Sequence, residues 1–487
     1  MSLSIALNNA LTGLRSASSQ ADIIANNVSN ALTEDYGRRE AVLSATVVGG
    51  QGGGVGVDGV SRAASPFLAE ARRLAEADAA SSETIGAAQR RLADALGEPG
   101  SPGALSTRAD DFEAALSAAG DTPESPALLS VAISAARDYV AAVNGVAAEV
   151  NAVRSDADAS IAIQVDALNR SLGQIRDLNG EIRTRSAIGA DISALLDQRD
   201  RLVAGVAEII PLKIADRPND EIAIYAKNGG QLLDGRVFEL EFTPTRVVTA
   251  DKTLAAGNLS GLTQNGVSIR IGEGGGLLDG GSLSAAFEVR DRIGESVTSD
   301  LDLLAADLIQ RTEGLAEDTT LVAGDPGLFT DDGSAFNAAA VTGLAVRLEL
   351  NAAVDPDQGG ETYRLRDGLS AATPGEVGRD DLLRALQDAF AESVTAPATA
   401  EALTGARGAA GFAAELSSAV FTATAAEEGA AAFARGRADV LFDAERSEVG
   451  VDTDQELSRL LIVEQTFAAS AKVVEVIDDL LARLNQI

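Results

Sequence analysis

Apolar residues recur every seven positions near both ends of this chain, and no other feature constrains its fold as much. Near the start, Leu7, Leu14, Ala21 and Val28 keep that spacing, with Leu3, Ala10, Ala17 and Ile24 interleaved. Near the end, Leu460, Phe467, Val474 and Leu481 keep it, with Val463, Ser470, Ile477 and Leu484 between them. A seven-residue apolar repeat lines one stripe of an α-helix and suits packing on a second helix. The first helix would be roughly 40 Å long at a rise of ~1.5 Å per residue. Several of its seam positions are Ala, so alone it buries little area and is marginal in water. One such helix, taken singly, is well explained as ordinary core of its own domain. Two matched seams favour pairing with each other or with other subunits.

The first seam ends oddly. In "DIIANNVSNALTEDYGRR", residues 22–39, Asn26, Asn27 and Asn30 fall within five positions, and Tyr36 opens a Tyr-Gly-Arg-Arg turn. Asn tolerates left-handed backbone and breaks helices. Its amide both donates and accepts across a contact. The expectation is a helix stop that also fixes register against neighbours, as a buried Asn does in a coiled coil. A plain helix end explains Asn30 but explains three amides less well.

Composition removes several function classes. The chain has 487 residues, 73 acids against 39 bases, and a net charge of −34. Nucleic acid and anionic membrane need clustered Lys and Arg, so neither is an expected partner. There is no Cys and no His. That excludes disulfides and thiolate metal sites, and it removes the commonest general base and metal ligand. No catalytic residue, metal site or cofactor is expected. No run of eighteen apolar residues suggests a membrane span. The first residues lack a basic region followed by a long apolar run, so export without a cleavable signal peptide is expected.

Periodicity divides the rest. Residues 67–205 read as long helices, broken by "GEPGSPG" at 97–103 and continuing through 126–184. From 209 to 290 the period falls to two, in "LKIA", "EIAIYA", "VFELEF" and "VSIRI". Helix returns over 283–317, a loop-rich β region follows, and 379–445 is helical again. The fold class is therefore α+β and multidomain, with long helical bundle segments and a β-rich middle. The expected units are 1–45 with 455–487, a body of 46–318 with 379–454, and a small outer β-rich insertion at 319–378. Gly54, Gly56 and Gly59 match G-x-G-x-x-G, but a nucleotide fingerprint must leave a strand and open a helix. A flexible loop entering a strand fits better, and "GEGGGLLDGG" at 272–281 reads the same way. Asp325, Asp331 and Asp332 lack the ligand spacing of a calcium loop. Asp197, Arg199, Asp200 and Arg201 read as a solvated or salt-bridged helix face, whose pairs contribute about 0–1 kcal/mol each.

At this point the residues carry a resemblance. Leu11-Thr12-Gly13-Leu14, Gln20, the run from Ile24 to Asn30, and Tyr36-Gly37-Arg38-Arg39 resemble the N-terminal motif of flagellar rod, hook and hook-associated axial proteins. Residues 449–484, with Glu456-Leu457 and "QTFAASAK", resemble the C-terminal half of that signature. "LLDQRDRLV" at 195–203, "NGGQLLDG" at 228–235 and "GGLLDGGSLSAAFEVRDRI" at 275–293 are similar to the FlgK-type family of hook–filament junction proteins. The similarity runs end to end and is weakest over 320–440. It implies a structural, extracellular flagellar component, exported through the flagellar type III channel, with no enzymatic activity. It implies as partners other copies of the chain, the hook protein, the next junction protein, and an export chaperone at the last helix. The assembly interface would be Leu3, Leu7, Leu14, Ala21, Ile24 and Val28 with Leu460, Val463, Phe467, Val474, Ile477, Leu481 and Leu484, and the assembly motif Asn26, Asn27, Asn30 and Tyr36. The rivals are a hook or rod protein, or an adhesin or enzyme carried on the middle region.

Ordering a residue costs roughly 1–2 kcal/mol, which Ala-rich seams do not offset. In the isolated chain, limited proteolysis should therefore cut within 1–45 and 455–487 well before it cuts within the helices of 126–205. Equal resistance of all three would refute this.

Overall fold

The computed structural model describes residues 3–33, 36–48, 51–270 and 279–484. The chain opens with helix α1 (Leu3–Ser29), followed by an antiparallel hairpin of β1 (Arg39–Val48) and β2 (Gln51–Arg62). Four helices follow: α2 (Pro66–Leu96), α3 (Leu105–Asp121), α4 (Pro126–Ser186) and α5 (Ser193–Ile209). Gly97 ends α2 with φ +77°, packed so closely on Ala104 that a side chain would collide. This is the expected break. Ser125 starts α4 by accepting from Leu128 N, and Pro126 occupies the first turn, where its missing N–H costs nothing.

Next come β3 (Leu212–Asp216), β4 (Ile222–Ala226), β5 (Gln231–Asp234) and β6 (Arg236–Val237), an antiparallel sheet in chain order. A smaller one joins β7 (Leu240–Glu241), β8 (Leu262–Gln264) and β9 (Val267–Ile269). Helix α6 (Gly281–Glu288) passes through a π-turn at Val289–Ile293 into α7 (Gly294–Thr312). Then follow β10 (Phe329–Asp331), α8 (Leu344–Arg347), β11 (Leu348–Leu350), α9 (Arg364–Asp367) and α10 (Asp381–Ala391). A minimal hairpin of β12 (Val394–Thr395) and β13 (Ala406–Arg407) leads into α11 (Ala409–Val449) and α12 (Thr453–Leu484). The expected class holds. The chain is mostly helical with small antiparallel sheets; α1 packs on α12, and α2 on α11. The Gly-rich segment at 272–281 lies largely outside the described residues, as does the start of the 275–293 match.

α4 is the spine. At 61 residues it runs roughly 90 Å, longer than either core it serves. Its first half, from Leu129 to Ala157, lines a large core with α3, α7, α10 and α11. Its second half, from Ile161 to Ile175, lines a second core with α5, α6 and the sheet. Among the described residues only α4 is long and apolar enough to cross a membrane by length and composition, and its apolar side is this line of core residues. At the waist between the cores, Arg154 donates to the carbonyls of Arg290, Thr249 and Lys252. One turn on, Asp158 pairs with Arg290 at 2.6 Å, both side chains fully buried. The π-turn presents Arg290 to this pair.

The cores divide the chain differently from the boundaries read in the sequence. Leu328, Phe329, Leu348, Leu350 and Leu365, all at or beyond 319, sit in the same core as α3 and α4. Phe112, Phe329 and Phe390 meet edge to face with centroids 5.1–6.0 Å apart. The 319–378 segment therefore closes the large core and is not a separate insertion. Short strands at wide intervals read as loop, but their few apolar residues cannot be satisfied alone. The expected boundary at 45 falls inside β1, because the β1 register was not legible beside its Gly-rich partner.

Loops of this outer half are held by buried carboxylates. Asp300 accepts from Glu401 N and Ala402 N. Asp302 accepts from Gly343 N at 2.6 Å and Ala345 N at 2.8 Å, at the start of α8. Burial pushes the Asp302 carboxyl up to about 6, against the pull of those N–H groups and of Arg347. A raised carboxyl contributes stability below its unfolded value near 3.8 and loses it as pH rises through about 6. Wild-type stability relative to Asp302→Asn should thus fall by about 1–1.5 kcal/mol between pH 5 and pH 7. Urea titrations at both pH values measure it; a flat or rising difference would contradict the assignment.

Candidate functional site

The site is built where the first and last helices meet the body. α1 and α12 run antiparallel: Gly13 lies against Ser470, and Asn27 against Glu456. A Cβ on Gly13 would stand 2.9 Å from Ser470 Oγ, so glycine sets the closeness of the pair. Ala17, Ile24 and Val463 form its small core, with Ala21 and Leu460 packed on it. Ile477 is buried further along α12.

The structure fixes the phase of the two seams. On α1 the buried line is Ala10, Ala17 and Ile24, flanked by Gly13, Gln20 and Asn27; Leu3, Leu7, Leu14 and Ala21 are half-buried, and Val28 is exposed. On α12 the inward line is Glu456, Val463, Ser470 and Ile477. Leu460 and Val474 are half-buried beside it, while Phe467 and Leu481 are 46% and 38% exposed. Leu484 closes the helix. One line of each heptad stripe thus serves the intrachain contact, and the other lies at its margin, half-buried except for Val28, Phe467 and Leu481, which are exposed. Ile462 at 64% and Leu461 at 60% exposure extend that apolar margin.

The three asparagines divide their labour. Asn30 ends the helix, with its N–H reaching Asn26 O and Asn27 O, and its Nδ2 donating back to Asn26 O. Asn26 is exposed and lies within α1. Asn27 is 0% exposed and supplies the junction. Its Nδ2 donates to Arg39 O and Glu456 Oε2; its Oδ1 accepts from Arg39 N and from the Tyr36 hydroxyl. One amide therefore ties α1 to the turn, to β1 and to α12. The Arg39 guanidinium stacks 4.8 Å from the Tyr36 ring, and burial raises the Tyr36 hydroxyl, which stays a donor.

A second knot joins this unit to α5. Asp197 pairs with Arg39 at 3.0 Å and with Arg62 at 2.6 Å, and Arg62 also reaches Asp200 at 2.6 Å. Asp197 and Arg199 are buried. Arg199 turns the other way, donating to Asn179 Oδ1 and Asp220 O. Of the two readings of this face, the salt-bridged one holds and the solvated one does not: of its four charged residues only Arg201 is exposed, while Asp197, Arg199 and Asp200 clamp α5 to the hairpin and to α4. Helix periodicity cannot reveal it, because both arginine partners lie more than 130 residues away.

Two residues of this junction lie outside the expected interface and motif sets, although both belong to the quoted signatures. Glu456 is one heptad before Val463, so extending the stripe backwards would have placed it in the seam. Thr12 accepts from Val55 N in β2, and Gly54, with φ +97°, comes so close to Thr12 that no side chain fits. The apparent nucleotide loop is therefore a strand lying on α1. Asp331, set aside as a calcium ligand, pairs with Arg347, and Asp325 accepts from Val322 N. A cavity of about 90 Å³ opens beside Tyr36, Arg62 and Asp200. Two of its charged groups face each other, Arg72 and Glu445 at 2.6 Å.

Against known families, residues 90–328 match the model of the flagellar hook-associated protein FlgK helical domain. That match places residues 90–328 in the FlgK hook-associated protein family. The family is structural and non-enzymatic. Residues 447–487, which comprise α12 and its approach, match the flagellar basal body rod FlgEFG protein C-terminal model. Flagellar hook-associated protein 1 of Escherichia coli is 26% identical over 48% of this chain and 44% of its own length. That of Salmonella typhimurium is 26% identical over 53% and 48%, and that of Bacillus subtilis 26% identical over 43% and 42%. The match therefore spans about half the length of these FlgK-family relatives. The flagellar hook junction protein FlgK from Burkholderia pseudomallei superimposes with a TM-score of 0.43 at 17% identity, over 54% of this chain and 46% of that one.

Removing Asp197 would leave Arg39 without its carboxylate and Arg62 with Asp200 alone. Asp197→Ala should cost about 3 kcal/mol, as for a broken buried pair, whereas Arg201→Ala should stay within about 0.5 kcal/mol. Thermal melts of both variants, with amide exchange over 37–62, measure this; equal effects would dissolve the clamp.

Proposed function

We propose that the chain is a structural subunit of the flagellar axis that joins hook to filament. The observation that carries the proposal is the exposed margin of the α1–α12 seam. A helix pair that satisfied only itself would not keep Phe467, Leu481, Leu461 and Ile462 in water. A large exposed apolar surface marks an interaction site. Other copies of the chain would cover it laterally, with hook protein on one side and the next junction protein on the other. The assembly residues are those of both seams, with Asn26, Asn27, Asn30 and Tyr36 holding the pair at a set angle to the body.

The small core of this pair also suits passage through the flagellar export channel. Ala17, Ile24 and Val463 bury little area, so the helices open cheaply. No disulfide has to be reduced, since the chain has no Cys. Before export, the apolar face of α12 is where a chaperone would bind. The protein then works outside the cell, in the flagellum. Network and cavity alike are read as structural, which sets aside the adhesin and enzyme rivals.

Leu14→Asp and Leu481→Asp test the proposal in a strain lacking the chain. Leu481 is exposed in the single chain, so Leu481→Asp should leave the melting temperature within about 2 °C, a shift worth under ~1 kcal/mol. In the assembly it would bury an unpaired charge at a cost of several kcal/mol, so incorporation and swimming should be lost. Normal filaments with either variant would overturn the role of these helices.

A further inference from the structure

The β1–β2 hairpin has one guarded edge and one open edge. Along β2, Val55 N donates to Thr12 Oγ1 and Gly53 O accepts from Asn8 Nδ2, so α1 covers that side. Along β1, Arg39 marks the outward-facing positions. Its N–H and C=O both bond to the Asn27 amide, which occupies the place of a neighbouring strand. Both register shifts in the hairpin skip a residue in β2, so β1 stays regular. Ala45 faces Val55, whose N–H also points outward, which confirms the phase. By strand alternation, Ala41, Leu43, Ala45 and Val47 then turn their N–H and C=O groups away from β2. Among the described residues, no group outside β2 hydrogen-bonds to the backbone of 41–47.

Exposed edges are usually blunted by charge, proline or a covering element. This edge has none of these. From Ala41 to Val57 the sequence contains no Asp, Glu, Lys, Arg or Pro. Apart from Ser44 and Thr46 the side chains of 41–47 are apolar, and they lie partly in water, Val47 at 69% exposure. A two-stranded hairpin is also marginal by itself and gains from a third strand.

We infer that the outer edge of β1, from Ala41 to Val47, accepts an extended segment of a second copy of this chain by strand addition. Charge selects the occupant. Copies that each carry −34 repel wherever acids face acids. They can approach closely where the surface is neutral, and the hairpin is such a surface on both copies. Backbone pairing needs no side-chain code, so the contact is self-complementary. Asn27 sets its limit by filling the first position of the edge. The inference rests on the axial-assembly reading, and it adds a contact distinct from the α1–α12 seam.

Ala45→Pro is the direct test. It removes one outward N–H and puts a ring in the path of an added strand, while the bonds to β2 remain, as proline is tolerated at strand edges. Ala45→Ser keeps the N–H and is the control. Expressed in a strain lacking the chain, Ala45→Pro should be exported and melt like wild type, yet be at least tenfold depleted from flagella; Ala45→Ser should incorporate normally. Wild-type incorporation of Ala45→Pro would overturn strand addition. If Leu481→Asp still failed to assemble, the axial reading would stand without it. Should Ala45→Pro unfold the hairpin, amide exchange of the wild type decides. Leu43 and Ala45 should become protected when the purified chain is concentrated until it self-associates. No protection there, or protection only in intact flagella, would reject a second copy as the occupant.

Discussion

The structure hangs on one buried amide. Asn27 has two donors and two acceptor sites in its side chain, and the fold satisfies them with Arg39 O, Glu456, Arg39 N and Tyr36. A buried amide left half-bonded costs about 1–3 kcal/mol, so the four partners are held as a set. That set comprises the end of one helix, the start of another, a turn and the root of a hairpin. α1 and α12 have too small a core to fix their own register. The amide fixes it for them, and Gly13 opposite Ser470 sets how near they come. The angle at which this pair leaves the body is set one step further on, where Arg39 and Arg62 share Asp197.

The two knots differ physically. Around Asn27 three of the four bonds join neutral groups and the fourth reaches the Glu456 carboxyl, which gives direction more than strength. Around Asp197 the partners are ionic and shielded, and a buried ion pair is costly to break once formed. The pair of helices can therefore fray along its length while its root stays anchored on α5. The proposed export through a channel and docking into a wall would draw on that combination. Below the root, α4 carries the load by continuity: one helix serves two cores, with Arg154 and Asp158 binding the loops at the waist.

Much of this was legible early. The long helices, the break at 97–103, the strand-rich middle and the meeting of the first and last helices follow from period and punctuation. The illegible parts share a cause. Asp197 reads as surface because its partners, Arg39 and Arg62, are remote in sequence. Phe329 reads as part of a loop-rich β region and not as core, because its two ring neighbours, Phe112 and Phe390, come from other elements. Gly54 reads as loose because the need for glycine is created by Thr12, on a helix that lies across it. Each is a contact between segments whose order along the chain contains no trace of their adjacency.

By itself, then, the sequence determined the helices, the two heptad stripes and the absence of His and Cys chemistry, because these depend on local spacing and residue type. Only the tertiary structure decided which line of each stripe faces inward, which asparagine is buried, and which edge of the hairpin stays open. Those choices depend on the distance between helices and the register of a turn. Both are set by the whole packed chain, and no local stretch of it contains them.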